Sequence, residues 1–350
     1  MVYSATAVPA AEEGETPYSF LFKQLAFAAV GTIVLLAVMR IDYHEYRRPS
    51  LIWTLLAITV IGLLAVFLFS PRNGTYRWIL VGGTSIQPSE LAKLAAIIFA
   101  AAVLERRMHR VNEPGYALLP IGVVTIGLAA LILRQPDFGT AAVLVAVVGL
   151  LVFIAGLSYR YLFGLGVVLL PAAIMLMISA EYRVKRLLCF LNPKQEPYEC
   201  GYQVIQSEIA VGSGGVLGRG LMEGVQKLFY LPEAHTDFIY AVVGEEFGLV
   251  GTTLILLCFI VIGWRGARTA LRAPDRFGTL LAIGLTMMVA LQAFVNISVV
   301  LGLLPTKGIP LPFVSNGGSS LMVNLVAVGV LLNVSQQGSP TAAAALEAHG

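Results

Sequence analysis

The chain has 350 residues, of which 57% are hydrophobic and 12% are charged, and its mean hydropathy is +0.82. Soluble domains are about half apolar and about a quarter charged, so this composition excludes a soluble globular protein and predicts an integral membrane protein. The net charge of +3 by itself says little about nucleic-acid binding. We expect no nucleic-acid partner.

Long apolar segments predict a bundle of membrane-spanning helices, because about 20 apolar residues are needed to cross a bilayer. Nine candidate spans occur at 20–39, 51–69, 89–104, 117–133, 139–156, 162–180, 245–264, 277–300 and 318–334. The apolar opening MVYSATAV reads as the end of one more helix, so we predict that the first helix is truncated. The expected fold class is an all-α polytopic membrane protein, with one domain over 1–335 and a disordered tail over 336–350.

The distribution of Lys and Arg predicts the orientation of these spans. Arginines are concentrated in four loops, at 40–50, 105–116, 157–161 and 265–276. Because positively charged loops remain in the cytoplasm, these loops and the C-terminus are predicted to be cytoplasmic. The long segment 181–244 is then a large extracytoplasmic loop between two spans.

The first outward segment, 73–96, is predicted to carry an ion pair at the start of a membrane helix. Pro88 and Ser89 suit a helix start, and Glu90 and Lys93 follow in its first turn. Residues three apart share a helix face, so the two charges can pair, which lowers the cost of holding both near lipid. The pair could be purely structural, or it could face a cavity and receive an anionic head group.

The second outward segment, RQPDFGTAA at 134–142, contains a carboxylate directly before a span. Asp137 is predicted to cap that helix, with Arg134 three residues before it. Capping and a direct chemical role both remain open for Asp137.

The third segment, the loop 181–244, is basic and rich in glycine. We predict short helices at 202–211 and 222–230, separated by a glycine turn that permits close approach of the backbone. The basic side chains of the loop are Arg183, Lys185, Arg186, Arg219 and Lys227. They could form an ordinary solvated surface, or they could bind a pyrophosphate. Cys189 and Cys200 lie in the same loop at a spacing compatible with a disulfide.

The triplet His235, Thr236 and Asp237 ends this loop, immediately before an apolar run that continues to Trp264. A carboxylate at the mouth of a membrane helix is costly, and a helix N-terminus can stabilise its ionised form. Asp237 could therefore act as a base towards a polar substrate arriving at the membrane surface, or it could cap the helix.

The fourth outward segment, 302–320, is apolar, but its prolines forbid a regular helix. Irregular backbone within a bilayer is tolerated only where it is buried in protein or lines a cavity. Asn296, inside the preceding span, is predicted to satisfy part of this backbone, and Ser319 starts the last span. No P-loop, nucleophile elbow or cluster of metal ligands is apparent in the sequence.

Several motifs in this order resemble the SEDS family (shape, elongation, division and sporulation proteins), which are polytopic peptidoglycan glycosyltransferases. The motifs are NGTYRWI, QPSELAKLA, QPDFGTA, GYQVIQSEIAVGSGG, YLPEAHTDFIYAVVGEE and LLPTKGIPLPFVSNGGSS. The resemblance runs from residue 1 to about residue 335 and is stronger to the cell-division member than to the elongation member. Asn316 departs from the pattern, because the family usually has tyrosine there.

This resemblance implies about ten transmembrane helices and the polymerisation of lipid II, the undecaprenyl-pyrophosphoryl disaccharide-pentapeptide. It also implies a class B penicillin-binding protein as the transpeptidase partner, other divisome proteins, and a position at the septum in the bacterial cytoplasmic membrane among its lipids. Asp237 matches the family's essential aspartate. Glu90 and Lys93 match a pair that family members need, and Arg77 and Trp78 match the loop before it.

The resulting hypothesis is that Asp237 acts as general base while undecaprenyl pyrophosphate leaves with inversion. The expected substrate-binding residues are Arg77, Trp78, Glu90, Lys93, Arg183, Lys185, Arg186, Arg219, Lys227, His235, Thr236, Lys307 and Ser319. A divalent cation, magnesium or manganese, could share in neutralising the diphosphate, although no dedicated cage for it is visible. A lipid II flippase and a non-catalytic division scaffold are the alternatives.

Overall fold

The computed structural model describes residues 1–6, 18–71, 74–81, 84–178, 181–199, 201–228 and 230–338. The α-helices in chain order are α1 Ser19–Val38, α2 Pro49–Ala65, α3 Pro88–Arg107, α4 Leu119–Arg134, α5 Phe138–Ile154, α6 Tyr159–Ile178, α7 Glu181–Leu191, α8 Tyr202–Gly214, α9 Ile239–Arg272, α10 Arg276–Val300 and α11 Gly318–Gln337. Residues 2–6 are also helical.

Helices α1–α6 and α9–α11 correspond to the predicted spans, which confirms an all-α polytopic membrane protein over the described ranges. Among the described residues, six stretches are long and apolar enough to cross a membrane: Ser19–Val38, Pro49–Leu68, Gly115–Arg134, Ile239–Arg272, Arg276–Val300 and Gly318–Gln337. The last helix runs past the predicted start of the tail at residue 336. Residues 339–350, where the tail is predicted to be disordered, lie outside the described residues.

The sequence did not predict a short hairpin that precedes α3. Strand β1, Ile79–Val81, pairs antiparallel with strand β2, Thr84–Ile86, with Leu80 opposite Ser85. The run is too short and too close to glycine-rich sequence to show a clear alternation of apolar and polar residues, which is the main signal for a strand.

The loop 181–244 differs from its prediction in one half. The predicted helix at 202–211 is confirmed as α8, but the predicted helix at 222–230 is wrong, because the described residues there form turns. The carboxylate of Glu245 accepts hydrogen bonds from the backbone N–H groups of Val225 and Gln226. Because a side chain binds those N–H groups and the flanking glycines disfavour a helix, the segment does not form the predicted helix.

The chain forms two compact units that do not follow chain order. Unit 1 comprises Met1–Ala26, Leu162–Ile260 and Gln292–Gly317, and unit 2 comprises Phe27–Tyr161, Val261–Leu291 and Gly318–Gly350. The single domain over 1–335 stays a prediction.

Helix α3 is the buried centre of unit 2. Alanines fill much of it, and Ala100 and Ala101 have no exposed surface. Small residues let neighbouring membrane helices approach closely, and α3 contacts α2, α4, α5 and α11. A side chain at Gly284 would lie 2.5 Å from Ile97 of α3, so glycine is needed for this packing. This central position holds the first turn of α3 firmly.

In unit 1, α9 is broken at Gly248, whose φ of 63° and ψ of −154° are not helical. The carbonyls of Glu245 and Glu246 before the break accept hydrogen bonds from the N–H groups of Arg219 and Gly220, each at 3.0 Å. After the break, the N–H groups of residues 249 and 250 donate to the carbonyls of residues 215 and 216, at 2.9 and 3.2 Å. The glycine-rich loop therefore satisfies the backbone groups that the break releases, as a membrane protein requires.

We expect Gly248→Ala to destabilise the protein. The new Cβ would lie 2.4 Å from the backbone nitrogen of Gly218, and the backbone conformation is essentially restricted to glycine, so the cost should be at least about 1–3 kcal/mol. The matched control is Gly263→Ala in the same helix, where a Cβ meets no atom within 4 Å. Thermal unfolding of the purified proteins should show a lower midpoint for Gly248→Ala alone, and equal midpoints would contradict this account of the break.

Candidate active site

The backbone of the HTD triplet (His235–Asp237) is held by three hydrogen bonds, one to each consecutive carbonyl. Asn316 N donates to the first carbonyl at 3.0 Å, the Ser315 hydroxyl donates to the second, and Asn296 Nδ2 donates to the third at 2.8 Å. We call these three donors the carbonyl clamp. It fixes the main chain that carries Asp237 without using the carboxylate.

The carbonyl clamp is itself anchored in the proline-rich segment 305–316. Asn296 Nδ2 also donates to the carbonyl of Ile309 at 2.7 Å, and Gln292 Nε2 donates to that of Pro310 at 3.0 Å. The Ser315 hydroxyl accepts from the backbone N–H of Leu311 at 2.8 Å. The prediction that Asn296 satisfies this irregular backbone is therefore confirmed, and the same amide also reaches the HTD triplet.

Asp237 lies directly before the first residue that accepts a helical hydrogen bond in α9. The carbonyl of Phe238 accepts from the N–H groups of Ala241 and Val242, so Phe238 occupies the N-cap position. Asp237 precedes the cap by one residue, and its side chain is half-buried. A negative charge at this point remains close to the positive end of the helix dipole.

Side chains from the start of α1 and from the preceding turn contact the HTD triplet or the segment that clamps it. The ring of Phe20 lies 6.1 Å from that of His235, and Gln24 Nε2 donates to the carbonyl of Ser315 at 3.3 Å. The Thr236 hydroxyl donates to the carboxylate of Glu233 at 2.9 Å. Glu233 itself has a φ of 55°, a conformation that persists only where surrounding contacts determine it.

Two adjacent buried carboxylates, Glu245 and Glu246, bind two of the cations predicted to contact a diphosphate. Lys227 Nζ lies 2.5 Å from Glu246 Oε1, and the Ser4 hydroxyl donates to the same oxygen. Arg219 Nη1 lies 3.4 Å from Glu245 Oε1. Lys227 is 5% exposed, so its charge is already matched in the interior, and its role in substrate binding stays a prediction.

The other predicted cations of unit 1 lie nearer the surface. Lys185 in α7 is exposed, and hydrogen bonds to Glu199 and Glu196 raise the pKa of its ammonium. Arg186 is exposed, and Arg183 and Lys307 are half-buried. Lys185 is thus paired with acidic side chains of the same loop.

The cysteines of the same loop bear on the predicted disulfide. Cys189, in α7, is disulfide-bonded, and Cys258 is free. The predicted partner of Cys189, Cys200, lies outside the described residues.

In unit 2, the ion pair predicted at the start of α3 is confirmed. Lys93 Nζ lies 2.9 Å from Glu90 Oε1, and the two side chains are only 3% and 2% exposed. The second carboxylate oxygen of Glu90 and the hydroxyls of Ser89 and Ser319 are buried without a hydrogen-bond partner among the described residues. Buried polar atoms are rarely left so, and each is suited to bind a polar ligand or water.

The loop carrying Arg77 and Trp78 is tied to the start of α5. Asp137 accepts from the backbone N–H of Thr140 at 3.1 Å, which confirms its predicted capping role. Its other carboxylate oxygen accepts from Gln87 Nε2 at 3.2 Å and lies 3.9 Å from Arg77 Nε. Trp78, the residue after Arg77, is half-buried. Asp137 therefore fixes the loop as well as the helix.

Sequence reasoning missed Glu245 and Glu246. Two carboxylates in an otherwise apolar run are expensive near lipid, and that signal could have identified them. The link from Asn296 to Asp237 was also missed, because 59 residues separate them. Within the ranges that the structure describes, no group of three or more His, Cys, Asp or Glu side chains could hold a metal ion.

We expect Asn296→Leu to loosen the HTD triplet, because the carbonyls of Asp237 and Ile309 lose their donor. Each unsatisfied carbonyl should lower the free energy of unfolding by about 1–3 kcal/mol. Hydrogen exchange should accelerate in 235–242 and 309–316. The control is Asn324→Leu, since the Asn324 amide donates within its own helix, to the carbonyl of Ser320. Unchanged exchange in both segments of Asn296→Leu would contradict the carbonyl clamp.

Comparison with known proteins shows which family this chain matches. The profile of the cell cycle protein family of FtsW, RodA and SpoVE matches residues 1–339. A probable peptidoglycan glycosyltransferase FtsW of Trichlorobacter lovleyi is 44% identical over 340 residues, covering 96% of this chain and 88% of that protein. The stage V sporulation protein E of Bacillus subtilis is 44% identical over 341 residues, covering 96% and 92%.

Solved structures show the same fold. One of them is a chain of a peptidoglycan synthase complex that coordinates polymerization and crosslinking. It superposes with a TM-score of 0.76 at 30% identity, covering 97% of this chain and 96% of that one. The rod shape determining protein RodA of Thermus thermophilus superposes with a TM-score of 0.68 at 26% identity, covering 96% and 93%.

Proposed function

We propose that this chain, which belongs to the FtsW, RodA and SpoVE family of cell cycle proteins, is a peptidoglycan glycosyltransferase. It polymerises lipid II into glycan strands at the outer face of the cytoplasmic membrane during septal wall synthesis. Support comes from the relative named a probable peptidoglycan glycosyltransferase FtsW at 44% identity and from the fold shared with a chain of a peptidoglycan synthase complex.

The observation that carries the proposal is the fixation of the HTD triplet by the carbonyl clamp. In the proposed reaction, Asp237 takes the proton from the GlcNAc 4-hydroxyl of an acceptor lipid II. The oxygen attacks the anomeric carbon of the donor and inverts it, and the bond to undecaprenyl pyrophosphate breaks with its electron pair on the leaving group. A base acts only when it is held within reach of the proton, and the clamp supplies that constraint through the backbone.

The leaving diphosphate needs nearby positive charge or hydrogen-bond donors. In unit 1 we assign this task to basic side chains, two of which are also paired with carboxylates, Lys185 and Arg219. The others are Arg183, Arg186 and Lys307. His235 and Thr236 contribute to substrate binding beside the base. A divalent cation, magnesium or manganese, could add to this neutralisation.

In unit 2 we assign substrate binding to the buried pair Glu90 and Lys93 and to the unpartnered hydroxyl of Ser319. The oxygens of Glu90 and Ser319 that lack a partner among the described residues are suited to the sugar and amide groups of lipid II. Arg77 and Trp78 belong to this set because the Asp137 network holds their loop in place.

The proposed partner is a class B penicillin-binding protein that supplies transpeptidation, together with other divisome proteins and membrane lipid. The synthase complex that shares this fold couples polymerization to crosslinking. We also propose that the loop 181–244 is extracytoplasmic and the C-terminus cytoplasmic, on the basis of the arginine distribution.

A lipid II flippase is the second candidate, because broken helices and buried charges are typical of transporters. The break at Gly248 and the pair of Lys227 with Glu246 are such features. However, the backbone groups released by the break are bound by the loop at 215–220, so they are not left to coordinate a substrate. This favours polymerisation over transport. A non-catalytic scaffold is disfavoured because it would not require the fixed backbone at Asp237.

We expect Asp237→Asn to lower the rate of polymerisation of fluorescent lipid II by about 10² to 10⁴-fold, because general-base assistance is lost while the shape is kept. The control is Glu223→Gln, an exposed carboxylate of the same loop, which should retain wild-type activity. Each protein is assayed with and without the transpeptidase. Full activity of Asp237→Asn would reject the base, and lipid II flipping without polymer in wild-type liposomes would favour the transporter.

Glu90→Gln should lower stability, because removing one partner of a buried ion pair costs about 3–5 kcal/mol. The double variant Glu90→Gln with Lys93→Met removes both charges at similar volume and should recover the thermal midpoint. If the pair binds lipid II, polymerisation by the double variant stays low despite this recovery. Wild-type polymerisation by the double variant would show that the pair is only structural.

A further inference from the structure

The apolar side chains on one surface of unit 1 have no role in the proposed reaction. The segment 215–222, which we call the interfacial loop, exposes Val216, Leu217 and Leu221 by 63%, 82% and 58%. Arg219 is the one charged residue among these eight positions, and its guanidinium is paired with Glu245. Large apolar side chains exposed together in this way mark an interaction surface.

The interfacial loop is fixed against α9 by contacts at Gly248. The carbonyls of Gly215 and Val216 accept from the N–H groups of Leu249 and Val250. A side chain at Gly248 would lie 2.6 Å from the carbonyl oxygen of Val216. The loop therefore lies at the level of the first residues after the break.

Helix α9 changes its surroundings at that same level. Residues 238–246 are all buried in protein, whereas most residues of 247–261 are exposed and apolar. The whole helix has 34 residues, about 50 Å at 1.5 Å each, which is too long for a hydrocarbon core of about 30 Å. The part after Gly248 has the length and exposure of a span, so the membrane boundary lies close to Gly248.

We propose that the interfacial loop inserts Val216, Leu217 and Leu221 into the bilayer at this boundary, with membrane lipid as the molecule that covers them. The loop continues the lipid-facing surface of α9, whose nearest exposed residues are Leu249 and Val250. Arg219, the one charged residue of the loop, is paired with Glu245, which lowers the cost of placing its charge beside lipid. This inference is independent of the proposed glycosyltransferase activity.

The insertion also has a consequence for the chain that follows. The segment after the interfacial loop precedes the HTD triplet in the chain. In this segment, Glu245 binds the N–H groups of Val225 and Gln226. Lipid contact at 216–221 and the carboxylate at 245 thus restrain the same stretch from two sides.

The test measures how deep a nitroxide spin label lies when it is attached to Leu217→Cys in the full chain reconstituted in lipid nanodiscs. The background carries Cys258→Ala, because Cys258 is the free cysteine among the described residues. Labels at Leu254→Cys and Tyr198→Cys, whose native side chains are 62% and 91% exposed, give the lipid and water references. Thermal unfolding of each labelled protein checks that the fold is kept.

We expect the label at position 217 to be more accessible to oxygen than to a water-soluble nickel chelate, as at position 254. Accessibility to nickel equal to that at position 198 would overturn the proposal. A label that is open to nickel in nanodiscs, and becomes protected only when the transpeptidase is added, would likewise overturn it, since a protein partner would then cover the loop.

Discussion

The structure depends on how irregular backbone is satisfied inside an apolar protein. Every N–H and C=O that leaves a helix near lipid needs a partner, because no water is there to supply one. Asn296 provides the clearest case, since one buried amide nitrogen serves the carbonyls of both Asp237 and Ile309. Two distant irregular segments are thereby fixed to one point on α10, and the proposed base is held on the first of them.

The same requirement explains the glycines of unit 1. Gly248 interrupts α9, and the neighbouring loop must come close enough to bind the groups that the interruption releases. A side chain at Gly218 would lie 2.2 Å from the carbonyl oxygen of Glu246, and one at Gly214 would lie 1.9 Å from that of Gly244. Glycine at these positions is therefore a condition for the broken helix. The buried carboxylates of Glu245 and Glu246 add side-chain contacts to the segment 219–227.

The sequence predicted the spans well, because long apolar segments carry a strong signal and α1–α6 and α9–α11 follow it. It also predicted local features, namely the ion pair of Glu90 with Lys93 and the capping of α5 by Asp137. The contacts that form the carbonyl clamp could not be predicted, since no periodicity links Thr236 to a hydroxyl 79 residues away. A helix was wrongly predicted at 222–230 for a similar reason, because Glu245, about 20 residues further along the chain, binds the N–H groups of Val225 and Gln226.

The chemical nature of the clamp determines which of its positions can change. Asn296 and Ser315 act through side chains, so their identity matters. Asn316 acts through its main-chain N–H, which every amino acid except proline provides. An asparagine at this position, where the family resemblance led us to expect tyrosine, is therefore compatible with an intact clamp. Residue 316 is consequently a place where a fluorescent or photo-crosslinking amino acid can be installed beside the base while its support is kept.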